Sequence, residues 1–344
     1  MSVSALVIGD PHFKISNVAE TKSMVEAIIE TAQKVSPNFI VVLGDTLDRH
    51  EIIHSSPLCR AVDFLDLLSR ISPVYLLIGN HDLKNNREFL STEHPFTALK
   101  YWGERLTVVD TTLVKDINGK VFTFVPYVPP GRFLEALDFS KGWNESVCIF
   151  GHQEIRGVKT GPEIISTSGD VWIPGHFGIM GHIHNYQELY IHNREHPDVV
   201  YVGSPIQHSF GDHPEKTISL FTFSDSGPIK HERIDLGLLR KLIVKISCSD
   251  VPNYIPETKC ELKLLIVGTK GEIKTIKSHT NIEKWKEEGH KICYKEVSIE
   301  KITERKETES TTRFSSSLYT KIKDIHGMVP IYKEIFGEIP EAQK

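Results

Sequence analysis

Phe39-Ile40-Val41-Val42-Leu43-Gly44-Asp45-Thr46-Leu47-Asp48 decides how the rest of the chain is read. Five apolar residues, three of them β-branched, predict a buried strand. Gly44 lets the backbone turn sharply where that strand ends, and a carboxylate follows at once. The same device recurs on either side. Residues 6–8 run into Gly9-Asp10-Pro11-His12, residues 74–78 into Gly79-Asn80-His81-Asp82, and residues 147–150 into Gly151-His152. A fifth cluster, Gly181-His182-Ile183-His184, has the same character. Val25, Ile28, Ile29 and Ala32 recur at helical spacing between the first two strands, as do Leu58, Val62, Leu65 and Leu68 before the third. Later apolar runs at 121–125, 199–202 and 218–223 follow one another with no helical insert. A βαβ first half and a strand-rich second half predict a layered α/β sandwich of two mixed sheets.

The pattern changes near residue 236. Residues 1–235 are expected to form the catalytic domain, and 236–302 a small α+β module. That module has strands near 242–246, 261–267 and 293–297 around one helix near 281–288. A polar stretch, 303–317, reads as a linker. In 318–344, Leu318, Ile322, Ile325, Val329, Tyr332 and Ile335 form an apolar stripe interrupted by Gly327 and Pro330, a broken amphipathic helix.

The chain has 344 residues, 40% hydrophobic and 25% charged, ordinary values for a globular protein. No apolar run approaches the roughly 18–20 residues of a membrane span. A strand and a chemical motif so near Met1 argue against a cleavable signal peptide. Five scattered cysteines without a CxxC pair read as reduced thiols, so an intracellular rather than secreted protein is expected. The net charge of −5 does not mark a nucleic-acid binder, but it is unevenly spread. Residues 236–344 hold 20 Lys+Arg against 16 Asp+Glu, whereas 1–235 hold 20 against 29. Phosphate contact would therefore lean on bound cations and on the C-terminal part.

Taken singly, Gly-Asp is a turn and Asn-His a loop. Together the five clusters gather carboxylate and amide oxygens with imidazole nitrogens, and no thiolate, at the carboxyl edge of a sheet. The i,i+2 pairs Asp10/His12 and His182/His184 place both members on one side of an extended segment. That ligand set suits two divalent ions such as manganese or iron.

The order D-x-H, G-D-x-x-D, G-N-H-[DE], G-H, G-H-x-H over residues 9–184 resembles the calcineurin-like metallophosphoesterases, whose layered αββα fold is then expected here. The resemblance implies that Asp10, His12, Asp45 and His184 hold one ion, and that Asp45, Asn80, His152 and His182 hold the other. Two such ions clamp a phosphate and neutralise the leaving oxygen. His81 would be the general acid, with Asp48 orienting it; a helix N-cap is the plainer reading of Asp48.

A second stretch, Tyr201-Val202-Gly203-Ser204-Pro205-Ile206-Gln207-His208-Ser209-Phe210-Gly211-Asp212, resembles the SbcD and meiotic-recombination-eleven nucleases of double-strand-break repair. That likeness implies a manganese-dependent 3'-5' exonuclease on duplex DNA ends and an endonuclease on single strands. It also implies a homodimer and an SbcC-type ATPase bound through the C-terminal helix. Under it the 236–302 module would cap the DNA. The dimer contact would fall around 58–68 and 96–102, where Leu65, Leu68, Phe96 and Leu99 suit a core equally well. Phe13-Lys14 departs from the Leu-Gly usual there, and Arg49 echoes protein phosphatases. His50, His54 and His208 read as rim or surface residues. Rival readings are a metallophosphoesterase for nucleotides or phosphoproteins, and a non-catalytic scaffold; the seven ligand positions and His81 are all intact, which opposes the scaffold.

Overall fold

The structure, a computed structural model, describes residues 2–161 and 164–297 together with Tyr319 and Val329. The expected linker 303–317 and, those two positions apart, the C-terminal helical segment 318–344 lie outside the described residues. The chain divides into two compact units, the first ending at Leu242 and the second starting at Ile243.

In the first unit, β1 (Val3–Ile8), α1 (Val18–Val35), β2 (Phe39–Val42), α2 (Ser55–Ile71), β3 (Val74–Leu77) and β4 (Leu106–Val109) follow in order. β1 to β4 pair in parallel as neighbours. The helices between them pack on one face of this sheet. Met24, Ile28 and Ala32 of α1 and Ala61, Phe64, Leu65 and Leu68 of α2 are buried against Leu6, Ile8, Ile40, Val42 and Leu76. The helical spacing seen in the sequence is therefore the stripe facing this core.

β5 (Leu113–Ile117), β6 (Lys120–Val125), α3 (Phe133–Leu137), β7 (Cys148–Gly151), β8 (Gly178–Met180), β9 (Gln187–Leu189) and β10 (Val199–Tyr201) build the second sheet. Its order is β5-β6-β7-β8-β10-β9, parallel through β6, β7, β8 and β10, with antiparallel strands at both edges. β11 (Thr217–Ser224) and β12 (Gly227–Asp235) return to the first sheet, giving the order β12-β11-β1-β2-β3-β4. The two mixed sheets meet face to face. Val3, Ala5, Val7, Phe39, Val41 and Leu77 of one bury against Phe122, Phe124, Phe150, Ile179 and Val200 of the other. Residues of β1 and β2 thus alternate between two cores, so these strands read as continuous apolar runs. Over the outer face of the second sheet lie the five-residue α3 and an irregular segment carrying Ile155, Val158 and Trp172. The expected sandwich is formed, with one thin outer layer.

Most of a three-stranded sheet falls in the second unit: β13 (Arg240–Ser247, beginning at the end of the first unit), β14 (Cys260–Gly268) and β15 (Lys291–Glu296), in the order β13-β14-β15. Between β14 and β15 it has two helices, α4 (Lys270–Ile276) and α5 (Thr280–Glu287), where the sequence predicts one. α4 carries a capping box, Thr269 with Glu272, but only Ile273 and Ile276 are buried on it, too few to set a visible period.

Leu65, Leu68, Phe96 and Leu99, which the sequence offered to either a core or a dimer contact, all lie in the core beneath the first sheet. None is free to face a second chain. Leu65→Ala should lower the unfolding free energy by about 2–5 kcal/mol in chemical denaturation. Leu65→Asp should fail to fold; a soluble, folded Leu65→Asp protein would contradict this placement.

Candidate metal centre

Every expected metal ligand, and with them Asp48 and His81, follows the carboxyl end of a parallel strand. Asp10 and His12 follow β1, Asp45 and Asp48 follow β2, and Asn80 and His81 follow β3. His152 follows β7, while His182 and His184 follow β8. The edges of two different sheets therefore meet at one point. The backbone bends hard to bring them together: Asp10, His12, Asp45 and His182 have φ values of 36°, 46°, 48° and 79°. Non-glycine residues rarely adopt this left-handed region, and four at one site mark strain held in place by the surrounding fold. Gly44, at φ 102°, makes the turn before Asp45. A Cβ at Gly79 would collide with the backbone nitrogen and Oδ1 of Asp45, so only glycine lets the second and third clusters touch.

At the centre, candidate ligand atoms crowd together. His152 Nδ1 lies 2.7 Å from the Leu43 carbonyl, which accepts its proton and leaves Nε2 unprotonated in the neutral ring. That Nε2 sits 3.0 Å from Asn80 Oδ1 and 3.3 Å from Asp45 Oδ2, while His182 Nδ1 lies 2.9 Å from the same Asn80 oxygen. On the other side His12 Nε2 is 3.1 Å from His184 Nε2 and 3.7 Å from Asp45 Oδ2. Asp10 accepts the His182 backbone N–H through Oδ1 at 2.8 Å, but its Oδ2 is buried without a partner. A buried carboxylate oxygen lacking a donor is costly unless a cation meets it. Two groups of ligand atoms, Asp10/His12/Asp45 and Asp45/His152/His182, each lie within 4.8 Å of one another and share Asp45. This donor set fits two hard-to-borderline divalent ions.

The electrostatics agree. Burial pushes His12 well below its ordinary pKa and takes His182, which also faces His152, down to about 4, so both rings are neutral and ligand-competent. Burial opposes ionisation of Asp45, but His152 and His12 outweigh it and hold the carboxyl well below its usual range. For His152, burial is overcome by Asp45 and Asp10, which lift it to about 9.

His81 stands beside this cluster without entering any of its ligand groups. Its backbone N–H donates to Asp45 Oδ1 at 2.8 Å. Its Nδ1 lies 2.8 Å from the carbonyl oxygen of Asp48, not from the carboxylate, so the expected side-chain dyad is replaced by a main-chain contact. The Asp48 carboxylate instead lies 3.3 Å from Lys14 Nζ and 3.7 Å from His12 Nδ1. Nor does Asp48 cap a helix: α2 has His54 as its N-cap. His50 stacks on the His81 ring with centroids 4.8 Å apart.

Two residues carry more than the sequence suggested. Asp82 is buried and accepts backbone N–H groups from Leu47 at 2.9 Å, Gly79 at 3.0 Å and Thr46 at 3.3 Å, tying the second cluster to the third. His208, read as rim or surface, is half-buried and packs on the ligand cluster. Its ring centroid is 4.7 Å from that of His12 and 4.9 Å from that of His184.

Fold and site together define a metal-dependent hydrolase built on a two-sheet α/β sandwich. The sequence profile of the calcineurin-like phosphoesterases matches residues 3–211, and the chain belongs to that family. It is 36% identical over 282 residues to "Putative phosphoesterase 244L" of Invertebrate iridescent virus 6, covering 80% of this chain and 97% of that protein. It is 35% identical over 302 residues to "Putative phosphoesterase 078R" of Invertebrate iridescent virus 3, covering 85% and 84%. A solved E. coli phosphoesterase, Yfce, aligns at 11% identity over 67% of this chain and 99% of its own, with a TM-score of 0.31. Among the described residues no helix is long and apolar enough to cross a membrane.

Because Asp45 faces both ligand groups, Asp45→Ala should abolish hydrolysis of bis-p-nitrophenyl phosphate and remove bound metal. A loss below about tenfold would overturn the assignment. Cys148→Ser, buried in the inter-sheet core, should leave metal content nearly unchanged.

Proposed function

We propose that the chain is a two-metal phosphodiesterase acting on DNA, with exonuclease action on duplex ends and endonuclease action on single strands. The observation that carries this reading is where residues 203–212 lie, the stretch whose sequence resembles the SbcD-type nucleases. The segment is a wall of the metal centre. Ser204 N–H donates to the His184 carbonyl at 3.1 Å, and His208 Nε2 lies 3.0 Å from the Asp10 carbonyl. Gly9 packs against the Gly203 carbonyl with no room for a Cβ. Residues whose sequence resembles that nuclease subfamily thus help to shape the site itself.

Beside the centre opens a cleft of about 520 Å³ lined by Phe13, Lys14, Ile15, Asp48, Arg49 and Ile52, among others. Apolar walls with two cations suit a nucleotide flanking the scissile phosphate: the cations meet phosphate and the walls meet sugar and base.

In this reading Asp10, His12, Asp45 and His184 hold one divalent ion, and Asp45, Asn80, His152 and His182 the other, with manganese the expected metal. When bound, the pair clamps the phosphate and neutralises charge that develops on its oxygens. The protein's own groups do the rest. His81 Nδ1–H donates to the Asp48 carbonyl, which orients the ring, and in the imidazolium form its Nε2–H would pass a proton to the leaving oxygen and leave the ring neutral. The stacked His50 ring limits rotation of His81. A homodimer and an SbcC-type ATPase docked on the apolar stripe of 318–344 complete the proposal.

A second reading, a phosphoesterase for nucleotides or phosphoproteins, is favoured by Arg49, which is exposed on the cleft wall next to Asp48. Manganese-supplemented assays on end-labelled linear duplex, circular single-stranded DNA and a phosphopeptide separate the two. Cleavage of both DNAs with the phosphopeptide untouched is expected; the reverse pattern would overturn the nuclease. His81→Ala should retain both ions and lose about 10²–10⁴-fold in turnover. If metal analysis finds one ion missing in that variant, His81 is a ligand and its role as acid is wrong.

A further inference from the structure

His208 lies outside the five clusters, in the loop after β10, yet its imidazole packs edge-on against both His12 and His184. Its tautomer follows from one contact. Nε2 is 3.0 Å from the backbone carbonyl of Asp10, and a carbonyl only accepts, so Nε2 carries the proton. Nδ1 is left with a free lone pair. That atom is sealed from solvent and has no hydrogen-bond partner, as is Asp10 Oδ2 nearby. The ligand atoms of His12, His184 and His208 lie within 4.8 Å of one another.

The loop is built to hold this ring still. Asp212 Oδ2 accepts the His208 N–H at 2.8 Å, and Asp212 Oδ1 accepts the Ser209 hydroxyl at 2.7 Å. Gln207 on the other side donates through Nε2 to the carbonyls of Asp212 and Lys241. A clamped imidazole with a buried, unpartnered lone pair, packed against two other histidines, has the form of a metal ligand. An inward acceptor lone pair would repel a phosphate oxygen, which excludes a direct anion contact. The hydrogen bond from the far ring nitrogen to a backbone carbonyl is the usual support for a ligating histidine.

We propose that His208 is an additional nitrogen ligand, through Nδ1, to the ion held by Asp10, His12, Asp45 and His184. The proposal rests on the two-metal reading of the site and adds an eighth protein ligand to it. It makes the two ion sites unequal: one has three imidazoles, the other two imidazoles and an amide. The ion nearer His208 should therefore be held in a more nitrogen-rich shell.

Cobalt(II) is the probe, because each coordinated histidine gives a hyperfine-shifted ring N–H proton resonance. The metal-free full-length protein and its His208→Gln and His208→Ala variants would be titrated calorimetrically with Co2+ and examined by proton NMR. Glutamine retains a side-chain donor for the Asp10 carbonyl, so it is the variant to read if alanine fails to fold. The expected result is two Co2+ sites in the wild type, with affinity at one site lowered at least tenfold in the variant. One shifted N–H resonance should vanish and the others stay in place. An unchanged set of shifted resonances in His208→Gln would overturn the proposal, even with weaker binding, because His208 would then act only by positioning Asp10. If the wild type binds no Co2+, the two-metal reading itself fails and this proposal falls with it.

Discussion

Everything at this site turns on one buried carboxylate, Asp45, crowded by the imidazoles of two other candidate ligands. Its Oδ2 faces ring nitrogens of both His12 and His152, and its Oδ1 takes the backbone N–H of His81. Such a cluster is unfavourable in an apolar interior unless positive charge fills it. Divalent ions held there would meet that need, which ties metal binding to the way the fold buries this residue.

The sandwich exists in the form needed to hold that cluster. Candidate ligands follow β1, β2 and β3 of one sheet and β7 and β8 of the other, so neither sheet alone supplies the whole set. Aromatic packing between the sheets, with Phe39 against Phe122, Phe124 and Phe150, fixes their separation. Asp82 stitches two turns together, and the left-handed backbone at Asp10, His12, Asp45 and His182 is strain that this packing offsets.

Much of this was legible in the sequence because its signals are local. An apolar run, a glycine and a ligand-type residue fall within about ten positions, and the helices between them keep a clear apolar spacing. What escaped depends on distant contacts. His208 does not directly follow a strand and reaches the cluster only when its loop folds back on Asp10. The orienting contact to His81 comes from a main-chain carbonyl, which residue type cannot reveal. β12 is an edge strand with exposed Lys230, Glu232 and Arg233, so no apolar pattern announces it. The ambiguity of Leu65 was real, since core and interface faces have the same composition until the packing is seen.

Isothermal titration of the metal-free protein with Mn2+ tests the central claim most directly. Two ions per chain should bind, and Asp45→Asn should lose both sites together, because one carboxylate serves each. A stoichiometry of one, or two sites that survive Asp45→Asn, would contradict the account.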